Sequence, residues 1–574
     1  MVQAQVETLL NYVGGQWVRS RSGSQAEVVN PATAQAIAYV PMSAKDEVDA
    51  AVQAAVKAYP DWRNTPVTDR IKPLFKLKGL LEQHLEELGR TITNEAGKTY
   101  AEAVAEMARG IENVEVACGA PILMQGQNNE DIARGIDEHM IRQPLGVVAA
   151  ITPFNFPGMI PMWYLPYAVA AGNCFLLKPS EKVPMTTQLL FRLLEEAGFP
   201  PGVVGLVNGG KDTVDAILDH PDVRAISFVG STPVAKYIYS RAAANGKRAQ
   251  CQGGAKNPAI VLADADMDMS TRILADSAFG CAGQRCLATS VAITVGEARG
   301  EFTDRITATA AGRRVGYGLD KDTEMGPVIN AASRERIHGL VDQGVKEGAR
   351  LLVDGREKEV DGFSDGYFVH PTVLDSVDPR STVGTTEVFG PVLSLMHASN
   401  LDEAIAMVND RRFGNQASIF TSSGAAARHF RHQALAGNIG VNLGVAAPMA
   451  FFPFSGWGDS FFGDLHAQGH HGFEFFTQTK VVVERPTDID VPTFIRKIAT
   501  GNTLGAATTI LESNLIGHTC GRVCPVDELC VGACVLGEEH RPIAIGRLQR
   551  YATDHLYQRG VMPFDPVPGV GKRV

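Results

Sequence analysis

PLGVVAAI, at residues 144–151, is a short apolar run that ends in a proline-rich turn. Similar runs return in FLLKP at 175–179, VGLV at 204–207 and ISFVG at 226–230, with helical patterns between them. Short apolar strands that alternate with amphipathic helices form parallel sheets with right-handed crossovers. The sequence therefore predicts a parallel α/β sheet, and the same pattern from 258 to about 442 predicts a second α/β unit.

The flanking segments predict further regular structure. Residues 46–62 and 70–109 carry Ala, Leu, Glu and Lys at helical spacing, so each range predicts helix. Residues 475–484 predict a long late strand. The composition changes at Pro486, and residues 489–515 predict helix ahead of a cysteine-rich run. This change indicates that a different domain begins close to residue 487.

Composition limits the function classes. The 574 residues suffice for several domains, and the net charge of −10 argues against a nucleic-acid partner, because phosphate binding requires a basic surface. No window approaches about 18 uninterrupted apolar residues, so no membrane span is expected. The first residues lack the charged and apolar regions of a secretory signal. Nine cysteines are too few for a disulfide scaffold and fit free thiols in a reducing cytoplasm.

The run FGCAGQRC, residues 279–286, contains the candidate nucleophile. A thiolate is the side-chain group that best attacks an aldehyde carbon, and a neighbouring cation lowers a thiol pKa. Cys286 directly follows Arg285, so the run places a thiol beside a guanidinium. A single cysteine is more often a small core residue, so this run gains weight only from the other motifs.

The sheet pattern implies a nucleotide site, although no G-x-G-x-x-G follows any predicted strand. Gly230 and Ser231 lie between the strand ISFVG and a predicted helix at 233–243, where helix N-terminal amides can bind a pyrophosphate. Lys178 and Glu181 follow a strand at the edge where ligands bind in such sheets. A lysine there can serve ribose hydroxyls, and the carboxylate would repel a 2′-phosphate. The alternative is a solvated ion pair at a strand end.

Seven motifs, taken in order, resemble the aldehyde dehydrogenase superfamily over about residues 8–485. They are ITPFNFP (151–157), LLKPSE (176–181), FVGST (228–232), FGCAGQRC (279–286), EMGPVI (324–329), EVFGPV (387–392) and PFSGWGDSFFGD (453–464). Within it, the chain is most similar to the CoA-acylating methylmalonate- and malonate-semialdehyde dehydrogenases, through ARGIENVE (108–115), GQRC and CQGGAKNP (251–258). The resemblance implies an α/β fold with a Rossmann-like NAD domain, an α/β catalytic domain and a β arm for assembly as a dimer or tetramer. The expected bounds are 1–137 and 151–255 for the NAD domain, 256–442 for the catalytic domain, and 138–150 and 470–486 for the oligomerisation strands.

The same resemblance implies a role for each motif residue. Cys286 is the nucleophile, and Asn155 donates its side-chain amide to the developing oxyanion, with the Cys286 N–H as second donor. One such donor lowers the barrier by about 3–4 kcal/mol. Hydride passes to the nicotinamide of NAD and leaves a thioester on Cys286. The implied NAD-binding residues are Thr152, Phe154, Lys178, Glu181, Lys182, Gly230, Ser231, Gly253, Glu387 and Phe389.

One departure from the family pattern predicts the second half-reaction. Hydrolytic members carry a glutamate that activates water, and alignment on Lys256 places Gln252 at that position, directly after Cys251. Without a general base water is a poor acceptor, whereas a thiol with a pKa of about 8.5 needs less help. The sequence therefore predicts that CoA, as co-substrate, takes the acyl group.

Two arginines predict the substrate class. Arg109, on a predicted helix, and Arg285, beside the nucleophile, form a candidate clamp for a carboxylate. A 3-oxo acid suits this clamp, and its carboxylate can leave as CO2 after oxidation. The sequence does not separate malonate from methylmalonate semialdehyde, because one methyl group changes binding by only about 1–3 kcal/mol. The alternative for Arg109 is a surface salt bridge on a charged helix.

Residues 487–574 resemble a different protein, the iron–sulfur domain of dihydropyrimidine dehydrogenase and of the glutamate synthase small subunit. The run CGRVCPVDELCVGAC spans residues 520–534, and a C-x3-C-x5-C-x3-C spacing favours a metal site over disulfides. The upstream cysteine-rich segment of that family is replaced by VVVERP, so a complete [4Fe–4S] cluster is not expected. The remaining candidate ligands are Cys520, Cys524, Cys530, Cys534 and Gln549.

Several interpretations of this cysteine-rich, α-helical appendage stay open. Its thiols can form a zinc site, an empty thiol cluster, or one improvised cluster that uses all four cysteines. For the whole chain, the alternative to a dehydrogenase is an electron-transfer or docking subunit of a pyrimidine-reducing complex. The complete set of Asn155, Cys286, Lys178 and Glu387 favours the dehydrogenase.

Overall fold

The computed structural model describes residues 6–134, 136–356, 358–484, 490–525, 530–531, 534, 541–561 and 563–564. The chain divides into two compact units: the first comprises 1–125 and 142–480, and the second comprises 126–141 and 481–574. The predicted boundary at 486–487 lies outside the described residues. Among the residues that are described, no helix is long and apolar enough to cross a membrane.

Strands and helices alternate along most of the described chain. The strands are β1 (Asn11–Val13), β2 (Gln16–Val18), β3 (Gln25–Asn30), β4 (Gln35–Pro41), β5 (Gln127–Ala133), β6 (Ile136–Pro144), β7 (Val147–Ile151), β8 (Cys174–Lys178), β9 (Val204–Leu206), β10 (Val223–Val229), β11 (Arg248–Gln252), β12 (Asn257–Val261), β13 (Thr289–Val295), β14 (Arg350–Val353), β15 (Thr372–Asp375), β16 (Val392–Ala398), β17 (Phe413–Gly414), β18 (Gln416–Phe420), β19 (Asn438–Val441), β20 (Trp457–Gly458), β21 (Phe461–Phe462) and β22 (Thr477–Glu484). The helices are α1 (Lys45–Asn64), α2 (Val67–Arg70), α3 (Lys72–Gln83), α4 (Leu85–Ala96), α5 (Tyr100–Cys118), α6 (Ala120–Leu123), α7 (Met159–Ala170), α8 (Pro184–Ala197), α9 (Lys211–Asp219), α10 (Thr232–Ala244), α11 (Met267–Phe279), α12 (Ala298–Ala311), α13 (Ala331–Lys346), α14 (Thr382–Thr385), α15 (Leu401–Asn409), α16 (Gly424–Gln433), α17 (Gly469–Phe475), α18 (Val491–Ala499), α19 (Thr503–Ser513), α20 (Gly517–Val523) and α21 (Ile545–Gln558), with a 3-10 turn at Gly280–Gly283.

The first sheet of unit one is the predicted parallel sheet. Its strand order is β2-β1-β9-β8-β7-β10-β11-β21, and the five strands from β9 to β11 run parallel. The chain order reverses between β7 and β10, which makes this the topological switch point where ligands bind outside the carboxyl ends of the strands. Strands β7 and β8 are buried along their whole length, which explains their continuous apolar runs.

The second sheet of unit one carries the nucleophile loop. Its order is β14-β15-β16-β13-β12-β18-β19, and only the edge strand β14 runs antiparallel. The chain crosses from the first sheet to the second between β11 and β12. A separate apolar core, which includes Ile260, Ile293 and Leu395, packs around this sheet. The predicted second α/β unit is therefore confirmed.

Unit two contains a β arm and a helical segment. Strands β5 and β6 form an antiparallel hairpin, and β22 completes a sheet in the order β22-β6-β5. The predicted arm at 138–150 is wrong at both ends, because pairing begins at Gln127 and because β7 is a buried strand of the first sheet. Helices α18, α19 and α21 share a small core around Phe494, Ile510 and Leu556.

Two segments of unit one differ from the elements predicted for them. The single helix predicted over 70–109 is broken, because α4 ends at Gly97, whose φ of +82° is left-handed, and α5 begins only at Tyr100. A Cβ at Gly97 would lie 3.0 Å from Pro327, so glycine is required there. Residues 469–475 are helical, not extended, because Arg248 donates to the carbonyls of Glu474 and Phe475 that end α17.

Candidate active site

The loop that precedes Cys286 has an unusual backbone. Cys281 and Ala282 have φ values of 49° and 52°, a left-handed conformation that side-chain-bearing residues adopt rarely. Gly283 follows with a φ of +69°, and a Cβ there would lie 2.0 Å from the Gly390 carbonyl oxygen. The loop therefore passes in backbone contact with the loop that carries Glu387 and Phe389.

Two asparagines that the sequence analysis missed fix the Cys286 peptide. The side-chain amides of Asn257 and Asn415 each donate to the Cys286 carbonyl oxygen at 2.8 Å. These bonds hold the peptide between Cys286 and Leu287 from two sides and anchor the backbone that follows the nucleophile. The two asparagines lie in KNP and GNQ, where a lone amide gives no signal of this long-range pairing.

The setting of the Cys286 thiol differs from the prediction. Burial, followed by the charge of Glu387, raises the pKa of Cys286 to about 12, and the guanidinium of Arg285 lowers it only slightly. Arg285 thus acts on the pKa in the predicted direction, but burial outweighs its effect. The Arg285 Nε donates instead to the Cys281 sulfur at 3.2 Å.

Asn155 lies buried beside the nucleophile loop. Its Nδ2 donates to the Gln284 carbonyl oxygen at 2.9 Å. An amide nitrogen has two hydrogens, so one remains for an oxyanion. The Gln284 contact ties Asn155 to the residue two positions before Cys286, as an oxyanion donor requires.

A cavity of about 480 Å³ brings the predicted nucleophile and both predicted arginines together. Its wall includes Cys286, Arg109 and Arg285. The remaining lining residues are Ala101, Glu102, Ala105, Glu106, Asn113, Phe156, Met159, Trp163, Cys281, Leu287, Val445, Ala447, Pro448, Phe454 and Gln468. An apolar cavity with a few charged groups on its wall suits a small anionic substrate.

Both arginines have protein partners in this state. Arg109 pairs with Glu112 at 2.7 Å, one turn further along α5, and it also donates to the Pro448 carbonyl. Arg285 pairs with Glu102 at 3.0 Å. Each guanidinium has five N–H donors, so a substrate carboxylate can bind without displacing every partner.

The position of the hydrolytic glutamate holds an amide in this chain. Gln252 is buried at the end of β11, and its Nε2 donates to the Phe454 carbonyl oxygen at 3.2 Å. Cys251 is fully buried, and burial raises the pKa of its thiol. The cavity carboxylates of Glu102 and Glu106 are both bonded to other groups. These four residues therefore provide no free carboxylate to activate water.

The predicted NAD residues follow the carboxyl ends of the parallel strands. The Lys178 ammonium is buried at the end of β8, 3.3 Å from the Glu181 carboxylate, and the Thr152 N–H donates to the Lys178 carbonyl at 3.0 Å. Burial lowers the pKa of Lys178, while Glu181 opposes that shift. An ammonium has three donors, so this one can serve ribose hydroxyls in addition to Glu181.

A second group of the predicted residues surrounds the rings of Phe154 and Phe389. The rings of Phe154 and Phe389 meet edge to face at 5.9 Å between centroids, and the Lys182 ammonium lies 5.1 Å from the Phe154 centroid. Glu387 accepts from the Ala255 N–H at 3.0 Å, and burial raises the pKa of this carboxyl to about 7.

The remaining residues predicted to bind NAD are Gly230, Ser231 and Gly253, which follow β10 and β11. Ser231 is the N-cap of α10, and Gly230 precedes it at the end of β10. Gly253 donates to the Ser460 carbonyl at 2.8 Å. The N-terminus of the 13-residue helix α10 can bind a pyrophosphate, and the buried Lys178 ammonium can bind ribose hydroxyls. The partly exposed Glu181 carboxylate disfavours a 2′-phosphate, so this set of groups fits NAD.

Of the predicted ligands in the C-terminal segment, Cys520 lies on α20 and Gln549 lies on α21. Cys520 accepts from the Asn514 amide at 3.4 Å, and the Cys534 sulfur accepts from the Ile543 N–H at 3.5 Å. Burial and the neighbouring Cys520 thiol raise the pKa of Cys524. Gln549 is buried and donates to the Gly517 carbonyl. In the part of the chain that the structure describes, no three Cys, His, Asp or Glu side chains are grouped to hold a metal.

Comparison with known proteins gives the family. The model of the aldehyde dehydrogenase family matches residues 17–482, and that of dihydropyrimidine dehydrogenase domain II, 4Fe-4S cluster, matches residues 477–561. Malonate-semialdehyde dehydrogenase 2 of Geobacillus kaustophilus is 51% identical over 480 residues, which cover 84% of this chain and 99% of the relative. The malonate-semialdehyde dehydrogenase of Halalkalibacterium halodurans is 47% identical, over 83% of this chain and 98% of the relative.

Solved structures agree with the sequence relatives. A putative methylmalonate-semialdehyde dehydrogenase from Sinorhizobium meliloti 1021, complexed with NAD, has a TM-score of 0.84 and 41% identity, and covers 85% of this chain and 100% of its own. The methylmalonate-semialdehyde dehydrogenase of Oceanimonas doudoroffii has a TM-score of 0.83 and 43% identity, with the same coverage. Together with the two sheets and the Cys286 site, these matches show that the chain belongs to the aldehyde dehydrogenase family.

Proposed function

We propose that this protein oxidises malonate semialdehyde or methylmalonate semialdehyde with NAD and transfers the acyl group to CoA. The observation that carries the proposal is the shared cavity, whose wall contains Cys286, Arg109 and Arg285. The names of the relatives supply the two substrates, and the NAD-bound structural neighbour supports the cofactor. The electron-transfer alternative is not favoured, because the matched relatives over most of the chain are dehydrogenases.

Substrate binding starts with the carboxylate. Arg109 lies on α5 and Arg285 on the nucleophile loop, so the two guanidiniums approach the cavity from different elements. Charge-assisted bonds of this kind contribute about 1.5–3 kcal/mol. With the carboxylate held there, the aldehyde carbon two bonds away is directed toward the Cys286 sulfur.

Oxidation proceeds on Cys286. The thiol gives its proton to solvent as the sulfur forms a bond to the aldehyde carbon, and the remaining Nδ2 hydrogen of Asn155 stabilises the oxyanion. NAD, when bound, accepts the hydride from that carbon; Lys178, Glu181, Glu387 and Phe389 would hold it. The carbonyl re-forms and leaves a thioester on Cys286. The bond between the α-carbon and the carboxylate can then break with loss of CO2, and the electron pair left on the α-carbon takes up a proton from solvent.

Deacylation distinguishes this chain from hydrolytic members of the family. Gln252 cannot remove a proton from water, so hydrolysis of the thioester is slow and a better nucleophile than water is needed. The thiol of CoA attacks the carbonyl carbon, and the Cys286 sulfur leaves and is protonated again. The products are acetyl-CoA from malonate semialdehyde and propionyl-CoA from methylmalonate semialdehyde.

The assembly and location of the enzyme are also proposed. The arm strand β5 is exposed along its whole length, which supports pairing with a second subunit in a dimer or tetramer. A cytoplasmic location agrees with the thiols of the five cysteines between Cys118 and Cys286.

One assay tests the central proposal. NADH formation is followed at 340 nm with each semialdehyde, with and without CoA, and products are identified by mass spectrometry. The expected result is turnover that requires CoA and yields acetyl-CoA or propionyl-CoA. Steady release of free carboxylic acid without CoA, at the rate of the CoA reaction, would refute the acylating function.

A further inference from the structure

We propose that Lys98 and Glu106 are positioning residues, a buried ion pair that holds the Asn155 loop so that its amide faces the reacting carbon. The inference deepens the proposed function and rests on it for the roles of Cys286 and Asn155. Lys98 lies in the short loop before α5, and Glu106 lies on the second turn of that helix. Neither residue is among those identified from the sequence.

Both charged groups of the pair form hydrogen bonds to the Asn155 loop, residues 155–159. The Lys98 ammonium donates to the Glu106 carboxylate at 2.6 Å and to the Asn155 carbonyl oxygen at 2.6 Å. It also lies 4.1 Å from the centroid of the Phe156 ring. The other Glu106 oxygen accepts from the N–H groups of Gly158 and Met159, at 2.8 and 3.1 Å. The chain from 155 to 159 is thus held at both ends.

The geometry leaves the loop little freedom. Lys98 is 3% exposed and the Glu106 side chain is 0% exposed, so water cannot replace the missing partner of either charge. At Gly158 a Cβ would lie 2.2 Å from the Met107 sulfur, which shows how closely α5 approaches the start of α7. A buried charge that loses its partner is strongly destabilised, so the pair acts as one unit.

The bonding pattern also excludes a general-base role for Glu106. One of its oxygens accepts from two backbone N–H groups and the other from an ammonium. All of these bonds favour the ionised form and none leads to a substrate atom. The carboxylate therefore acts through Asn155, not on the substrate.

A double-mutant cycle tests the proposal. The variants are Glu106→Gln, Asn155→Ala and their combination, and the readout is the rate of the NADH burst at saturating NAD and malonate semialdehyde. Glu106→Gln alone should slow the burst by about tenfold or more, because removal of one oxyanion donor costs roughly 100- to 1,000-fold. In the Asn155→Ala background the same change should slow it by less than about threefold. Equal effects in both backgrounds would overturn the proposal.

Alkylation of Cys286 supplies a second readout. Iodoacetamide reacts with the sulfur without forming an oxyanion, so its rate should stay within about threefold of wild type in Glu106→Gln. A parallel loss of burst and alkylation rates would mean general distortion of the site and would refute a role through Asn155. If the wild-type enzyme shows no NADH burst, that result refutes the proposed function itself, independently of the double-mutant cycle.

A matched control separates positioning from stability. Glu95 is also a buried carboxylate that accepts two backbone N–H groups at a helix start, from Met185 at 2.7 Å and Thr186 at 2.9 Å. Glu95→Gln should lower the melting temperature without a selective loss of the burst. If Glu106→Gln does not fold, Lys98→Met and the neutral pair Lys98→Met with Glu106→Gln take its place. Loss of the native fold in all three would show a purely structural pair and overturn the proposal.

Discussion

Replacement of Arg109 by leucine tests the carboxylate clamp most directly. The change removes the ion pair with Glu112 and the bond to the Pro448 carbonyl, and it leaves a shorter, uncharged side chain. The Arg109 side chain is 31% exposed, so loss of that ion pair should cost below about 1 kcal/mol of folding stability. The larger effect should fall on the substrate.

The expected magnitude follows from the bond that is lost. A charge-assisted bond to a carboxylate contributes about 1.5–3 kcal/mol, which corresponds to roughly a 10- to 150-fold rise in KM for malonate semialdehyde. Propanal has no carboxylate, so its kcat/KM should fall by less than about threefold. The assay compares kcat/KM for the two aldehydes in wild type and in Arg109→Leu, with NAD and CoA saturating.

A control variant guards against a general loss of activity. Arg305 pairs with Glu301 at 2.8 Å on the surface of α12, outside the cavity. Arg305→Leu should leave the preference between the two aldehydes unchanged. If Arg109→Leu lowers kcat/KM equally for both aldehydes, Arg109 supports the wall of the cavity and does not recognise the substrate.

Further predictions concern the nucleophile, the second half-reaction and the appendage. Cys286→Ala should abolish NADH formation and keep NAD binding by calorimetry, and an inactive Cys281→Ala beside an active Cys286→Ala would contradict the assignment. Because burial raises the pKa of Cys286 to about 12, inactivation of the free enzyme by iodoacetamide should accelerate about tenfold per pH unit from pH 7 to 9, and a plateau below pH 8 would contradict that pKa. Gln252→Glu should increase acid release without CoA, as measured by NADH formation in CoA-free buffer, and no increase would argue against the alignment on Lys256. Deletion of 487–574 should leave dehydrogenase activity largely unchanged, and the full chain purified anaerobically should lack stoichiometric [4Fe–4S]; two clusters per chain by iron analysis and EPR would refute this.

The sequence predicted the elements whose signal is local. The apolar runs at 147–151 and 174–178 are buried parallel strands, and Lys178 and Ser231 lie where the strand ends predicted them. Asn155 follows β7 and Cys286 follows α11 and the 3-10 turn, and a bond from Asn155 to the Gln284 carbonyl joins the two loops. A short motif was sufficient for these residues, since its chemistry and its position along the chain agree.

The unpredicted parts depend on contacts between distant segments. A thiol beside an arginine in sequence gives no measure of burial, which here outweighs the guanidinium at Cys286. No proline in the sequence marks the helix break at Gly97. The break depends on close contact between Gly97 and Pro327, more than 200 residues away, which leaves no room for a side chain. The spacing of Glu102, Glu106 and Arg109 at three to four residues did carry a signal, because it places all three on one helix face.

The backbone contact between Gly283 and Gly390 determines where this enzyme can be redesigned. The two loops meet without any intervening side chain, so a larger residue at 283 must displace either the loop that carries Cys286 or the loop that carries Phe389. A mutant library aimed at new aldehydes should therefore keep 280–286 unchanged. Val445, Ala447 and Phe454 line the same cavity from a separate segment, and variation there changes the shape of the substrate space while the reacting groups keep their places.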